Sequence, residues 1–158
     1  MKTNNIKLPI EDLAYIAGFL DGDGSIFAQI IRGKRYRYGF TVRFSIVFFQ
    51  KKKRFWFILW LKARLGVGYT RLRSDLIGEY VITGLNDVEQ VVTLILPYLK
   101  IKKEVGNLVL KAISLKRAVK SKEDFLILCT LVDKIAALTD GKSRTLNKEV
   151  VEKFLSSP

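Results

Sequence analysis

At 158 residues the chain holds one domain with room for a sizeable core, and its 28 Lys and Arg against 15 acids leave a net charge of +13. The absence of any histidine rules out His-bearing zinc sites, Ser-His-Asp triads and imidazole bases, so hydrolysis would have to rest on carboxylates, a metal and water. A single cysteine, Cys129, excludes an internal disulfide and suits a buried small hydrophobe, and no run of about 18 uncharged apolar residues is present to span a bilayer.

A field this positive attracts polyanions, nucleic acid ahead of an anionic membrane, and charge alone does not separate DNA from RNA. Residues 1–9 carry neither an Arg-rich transit peptide nor a secretory pattern, which fits synthesis in the compartment where the protein acts.

The first predicted helix runs from Leu13 to Asp21, opened by Pro9 and the acids Glu11 and Asp12. Ser25 to Ile31 reads as a strand, and Gly33-Lys34 marks the connection to a longer one from Tyr36 to Phe49. There Tyr38, Phe40, Val42, Phe44, Ile46 and Phe48 alternate with Arg37, Thr41, Arg43 and Ser45, so one face is core and the other polar and cationic. Lys51 to Leu65 follows as an amphipathic helix stopped by Gly66, with Trp56 and Trp60 one turn apart and expected in the core. Tyr69–Arg73 and Glu79–Thr83 form a second hairpin, in which Arg71 and Arg73 share a face. Helices are then expected from Asn86 to about Tyr98, disturbed near Pro97; from Lys103 to Arg117; from Ser121 to Leu138, with Asp124 placed for a near-capping-box; and from Asn147 onward, after a basic loop over 139–145.

The fold class implied is α+β: an αββαββ core with one four-stranded antiparallel sheet, followed by C-terminal helices. The open sheet face, rich in Arg, is unusual unless something anionic covers it.

One stretch stands apart: Tyr15-Ile16-Ala17-Gly18-Phe19-Leu20-Asp21-Gly22-Asp23-Gly24. Gly18 and Gly22 lie four residues apart on one helix face with Ala17 beside them, a spacing that lets a second backbone come close. Gly24 suits a left-handed helix end. The helix dipole disfavours Asp21 and Asp23 at this end, so each needs a compensating partner, and a hard divalent cation is one.

The stretch resembles the signature of the LAGLIDADG homing endonucleases, position by position. The order of elements, the Gly66-Val67-Gly68-Tyr69 turn, the Leu99-Lys100-Ile101-Lys102 segment and the Ile135-Ala136-Ala137-Leu138 helix end are similar to the single-motif, homodimeric branch encoded in algal chloroplast introns. The resemblance covers the chain from about Leu13 to Leu155, and with no second copy of the motif the chain is expected to form one domain, 1–158.

That resemblance implies a site-specific DNA endonuclease that cuts a long pseudo-palindromic site as a homodimer, leaving 3′ overhangs, with Mg²⁺ as cofactor, Mn²⁺ able to substitute and Ca²⁺ binding without cleavage. Two chains meeting through Ala17, Gly18, Asp21 and Gly22 would bring two copies of Asp23 together. Their mutual repulsion, about 1–4 kcal/mol at 4 Å, would be relieved by the shared cations, with the Gly22 carbonyl as a further ligand. The family pattern makes Asp23 the metal ligand, Gln50 the residue ordering the water, and Arg54 and Lys102 the cations that stabilise developing charge. By residue type alone, Arg54 and Lys102 read as solvated or phosphate-contacting charges. The sheet would enter the major groove. Arg43, Arg71 and Arg73 suit guanine, Gln29 suits adenine, Thr41 and Ser45 either base type, and Ile31 and Val47 thymine methyls, while Arg35 and Tyr36 would reach outer bases or backbone. Lys142, Arg144 and Lys148 resemble phosphate clamps. Localisation in the chloroplast is expected, with the mitochondrion as the alternative; no membrane partner is expected. The rivals are an RNA maturase that binds its own intron and a DNA-binding regulator that does not cut.

Overall fold

The computed structural model describes residues 5–139 and 144–158. Its elements run α1 (Ile10–Asp23), β1 (Gly24–Arg32), β2 (Phe40–Lys51), α2 (Phe55–Leu65), β3 (Tyr69–Leu72), β4 (Ile77–Ile82), α3 (Leu85–Ile95), α4 (Lys103–Ala118), α5 (Lys122–Ala137) and α6 (Lys148–Ser156). The four strands form one antiparallel sheet in the order β1-β2-β4-β3. Among the described residues no helix is long and apolar enough to cross a membrane.

The chain divides into two compact units. One holds the described residues up to Ile26 together with Ser45–Glu104; the other holds Phe27–Phe44 and the residues from Val105 on. Strands β1 and β2 contribute residues to both.

In the first unit, Ile16 and Leu20 of α1, Ile46 and Phe48 of β2, Ile58 and Leu61 of α2, and Tyr80 and Ile82 of β4 are fully enclosed. Each such aliphatic side chain contributes about 1.5–3 kcal/mol by leaving water. Phe19, Phe48 and Tyr80 stack in sequence, and the Tyr80 hydroxyl donates to the Val67 carbonyl at 2.5 Å. Burial pushes that phenol well above its usual range.

Helix α2 departs from the sequence expectation. Trp56 is 66% exposed and Trp60 is only half-buried, whereas Phe57, Ile58, Leu61 and Leu65 face inward. Phe-Trp-Phe-Ile-Leu-Trp-Leu is apolar all round, so a period of 3.6 does not select which side meets the core. Tyr15 and Trp60 meet edge to face at 6.0 Å. With Trp56 and Leu59, exposed Tyr15 leaves large apolar groups at the surface of this unit.

Helix boundaries follow local chemistry. Gly66 ends α2 in a left-handed conformation, φ +71, with its N–H on the Lys62 carbonyl. Gly24 does not: at φ −117 it is extended, and glycine is required there for space, since a Cβ would sit 2.4 Å from Leu20 Cδ1 and 3.0 Å from the Val47 carbonyl oxygen. Helix α3 begins after Gly84, not at Asn86, and yields at Pro97 to a 3-10 turn, Leu96–Tyr98.

In the second unit, Phe40, Val42 and Phe44 are buried, as are Val109 and Ile113 of α4 and Phe125, Leu128, Val132 and Ile135 of α5. Ser121 and Asp124 close a full capping box at the start of α5, and Asn147 caps α6. Strand β2 starts at Phe40, later than Tyr36, because residues 33–39 close on themselves: Gly33 N–H donates to the Gly39 carbonyl at 3.0 Å and Gly39 N–H to Tyr36 at 2.9 Å. Phe154 of α6 lies edge-on to Phe40 at 5.1 Å, and the Arg32 guanidinium sits 5.1 Å from the Phe40 ring centre and 5.5 Å from that of Phe154.

Candidate active site and nucleic-acid interface

The two acids at the end of α1 have opposite surroundings. The Asp21 carboxylate accepts from the backbone N–H groups of Lys100 at 2.7 Å, Ile101 at 3.2 Å and Lys102 at 3.0 Å. These amides lie where the chain enters α4, and a carboxylate there is favoured both as acceptor and by the helix dipole. The Lys102 ammonium returns to the Asp21 backbone oxygen at 2.8 Å, giving an orphan carbonyl of α1 its donor. Asp21 is therefore a latch within its own chain, the structural role that the family resemblance implies for the first motif acid. Asp23 is exposed, with no hydrogen bond or ion pair among the described residues.

The outer side of α1 is bare at Gly18 and Gly22: a side chain placed at either would meet nothing within 4 Å. An open groove lined by Ala14, Gly18, Leu99 and Lys103 runs beside it. Ala17, expected on the same contact, is 0% exposed and belongs to the core. Its place three residues before Leu20 puts it on the inward stripe.

Gln50 and Arg54 are joined, Arg54 Nε donating to Gln50 Oε1 at 2.5 Å, with both side chains half-buried. Gln50 sits opposite Gly78 in the β2–β4 register. The motif's end abuts β2 at Val47, three residues and so about 10 Å before Gln50 along the strand. The structure thus brings Lys102 to Asp21 and Arg54 to Gln50, and supports both pairs on α1 and β2 within one unit. Among the described residues no cluster of three or more acidic, Cys or His side chains could hold a metal. Of the two acids at the end of α1, Asp23 alone is unpartnered among the described residues, next to the carbonyls of a helix C-terminus. Hard oxygen donors of this kind suit Mg²⁺ or Ca²⁺.

The expected base-reading residues fall into three groups. Gln29, Arg35, Tyr36 and Arg43 are exposed, and Ile31 and Thr41 half-buried. Arg43 stands beside Lys116, whose ammonium donates to the Val42 carbonyl at 2.6 Å; burial first, then the Arg43 charge, hold that ammonium below the usual lysine pKa. Ser45 and Val47 are corrections: they are 3% and 6% exposed, and on β2, with a strand on either side, side chains this short do not reach past their neighbours. Arg71 and Arg73 are exposed but held by a residue the sequence reading passed over. Glu79, 5% exposed, bonds Arg71 Nε and lies 3.3 Å from Arg73 Nη1. The Glu79 hydrogen bond raises the Arg71 pKa further. Glu79 faces Arg71 directly in the β3–β4 register, so pairing the two predicted strands would have found it.

Of the three flanking cations, Lys142 lies outside the described residues. Arg144 is committed internally, Nη1 to Asp133 Oδ1 at 3.0 Å, and the same carboxylate accepts from the Lys148 N–H at 3.1 Å. Asp133 therefore ties the start of α6 to α5 and engages Arg144 as well, so Arg144 does not stand free as a clamp, and nothing in the sequence pattern marks Asp133.

A helix end bearing one free acid and strands bearing exposed arginines are features that suit a metal-dependent nuclease. The model of the LAGLIDADG endonuclease family matches residues 16–119, and the chain belongs to that family. It is 40% identical over 154 residues to DNA endonuclease I-CreI of Chlamydomonas reinhardtii, covering 97% of this chain and 94% of that protein. It is 35% identical over 142 residues to DNA endonuclease I-CvuI of Chlorella vulgaris, covering 90% and 88%. The solved structure of I-CvuI with the I-CreI target in the presence of Mg, the DNA uncleaved, superposes with a TM-score of 0.88 over 92% of each chain at 34% identity. I-CvuI with its own target in the presence of Ca gives the same score.

Proposed function

We propose that this chain is a site-specific, Mg²⁺-dependent DNA endonuclease that works as a homodimer, each copy reading half of a long pseudo-palindromic duplex, and that the staggered cut mobilises the intron encoding it. The observation that carries the reading is Asp23: an exposed, unpartnered carboxylate at the end of a helix whose outer face is bare at Gly18 and Gly22. A second copy laid along that face would complete the donor set with its own Asp23 and would also cover large apolar groups that a monomer seldom leaves in water.

Residues 1–158 act as one domain in this reading. Asp23 and the Gly22 carbonyl hold the cation. Bound Mg²⁺ supplies charge neutralisation at the scissile phosphate and an acidified water. Gln50, its amide oriented by Arg54, positions the attacking water, and Arg54 and Lys102 offer N–H donors to the charge that builds on the phosphoryl oxygens. Mn²⁺ replaces Mg²⁺, and Ca²⁺ supports binding without cutting. Gln29, Ile31, Thr41, Arg43 and Arg71 read base edges, and Arg35, Tyr36 and Lys148 the flanks. Both curated relatives come from green algae, which supports a chloroplast location. Incubating a plasmid that carries the intronless host gene with protein and Mg²⁺ tests the reading: breaks at one locus, 3′-extended, are expected, and intact plasmid alongside tight intron-RNA binding would replace it with a maturase.

A further inference from the structure

Arg71 and Arg73 share a face of the second hairpin, but two carboxylates treat them differently. Arg71 gives its Nε, at the rear of the guanidinium, to Glu79 Oε2. Its two terminal nitrogens, with four of the five N–H groups, make no bond among the described residues, and 59% of the side chain is exposed. Arg73 is bonded at both tips: Nη1 to Glu79 Oε1 at 3.3 Å and Nη2 to Asp75 Oδ2 at 2.7 Å. Asp75 is itself fixed, its Oδ1 accepting from the Ile77 N–H at 3.2 Å.

Arginine recognises guanine by two parallel N–H groups on O6 and N7, both acceptors. The Arg71 head has such a pair free, and its stem is anchored by a carboxylate too enclosed to follow it outward. The Arg73 head lies between two anions that compete with guanine for the same donors.

We infer that Arg71 is the guanine reader of this hairpin, that Glu79 is its positioning residue, and that Asp75 withholds Arg73 from base reading and keeps it as a buttress. The inference rests on the DNA-endonuclease reading above and assigns the division of labour within it.

The test is base preference, read twice on a randomised duplex library: by binding in Ca²⁺ and by cleavage in Mg²⁺. Wild-type protein is expected to demand guanine at one position per half-site under this hairpin. Arg71→Ala should erase that preference, a loss of roughly 5- to 150-fold in discrimination for one bidentate pair. Glu79→Gln should weaken it at the same position while other positions keep theirs, and Glu79→Asp should restore part of it. Asp75→Asn should create a second guanine preference nearby, absent from the double variant with Arg73→Ala. Two separate guanine demands in the wild type, one lost with each arginine, would overturn the inference, as would an Asp75→Asn profile identical to wild type. Should Glu79→Gln fail to fold, Asp75→Asn and Arg73→Ala, both at exposed positions, decide the matter. Protein that selects a duplex but cuts none overturns the endonuclease reading alone, since the binding profiles still judge the arginines.

Discussion

Asp21 and Lys102 clasp each other reciprocally: the Lys102 backbone N–H donates to the Asp21 carboxylate at 3.0 Å while the Lys102 ammonium donates to the Asp21 carbonyl at 2.8 Å. The first motif acid and a proposed catalytic cation thereby hold each other in place, and the second acid is left without a partner among the described residues.

That difference predicts opposite phenotypes for neighbouring substitutions. Asp21→Ala strands three backbone donors and should cost roughly 2–3 kcal/mol of unfolding free energy, as hydrogen bonds to a charged group do. Asp23→Asn removes a carboxylate from the unfavourable end of a helix dipole and should leave stability within about 0.5 kcal/mol of wild type, or raise it. Its cleavage should nevertheless vanish with DNA binding kept. Urea titration and a plasmid assay on both variants check this, and a large loss of stability in Asp23→Asn would contradict the exposed, unpartnered placement.

Gly18 offers a cleaner probe of assembly. A side chain there meets open space within the chain, and replacing a mid-helix glycine gains up to about 1 kcal/mol of helix propensity. Gly18→Leu should therefore give a chain that folds at least as well but scatters light as a monomer at micromolar concentration and no longer cuts. A dimer of unchanged mass would place the subunit contact elsewhere.

Lys116 predicts a pH dependence. Its folded pKa lies below the ordinary lysine value of 10.5 because burial penalises the ammonium, so between the two values the unfolded chain binds more protons than the folded one. The Lys116 contribution to stability should rise with pH across that alkaline window and level off above the unfolded pKa. The difference in denaturant midpoint between wild type and Lys116→Met isolates it from other alkaline titrations, and that difference should move in favour of wild type as pH rises.

Cys129 predicts the reverse sense. Burial, then the Asp133 charge, push its thiol up to about 12 from 9.0, so above pH 9 the unfolded state gains by ionising and the native state loses ground. Below that range the native thiol stays protonated and enclosed. It should resist iodoacetamide at pH 8 and react only as the protein unfolds, which mass spectrometry of pulse-labelled samples reads directly.

Much of this was legible in the chain. The period-two alternation of Phe40, Val42, Phe44, Ile46 and Phe48 gave the core face of β2, and the αββαββ order gave the sheet. What escaped depended on tertiary partners. Trp56 was misplaced because α2 is apolar on every side. Ser45 and Val47 alternate correctly onto the outer face, yet alternation says nothing of how tall the neighbouring side chains stand. Glu79 and Asp133 acquire their roles only when a hairpin pairs or two helices meet, and the extended Gly24 answers to Leu20 and Val47, not to helix-end statistics. Asp21 and Asp23 differ in their surroundings because the amides of Lys100 to Lys102 take the first, a long-range contact that no local pattern shows.

Phe154 wedges against Phe40 and Arg32, and Gly39, at φ +77, leaves it the room, since a Cβ there would lie 2.7 Å from its ring. The final helix thereby packs against both ends of the 33–39 loop, which carries Arg35 and Tyr36. A fusion or truncation that unwinds Lys148–Ser156 would slacken that loop, and under the proposed function selectivity would fade at the outer base pairs while persisting at the middle.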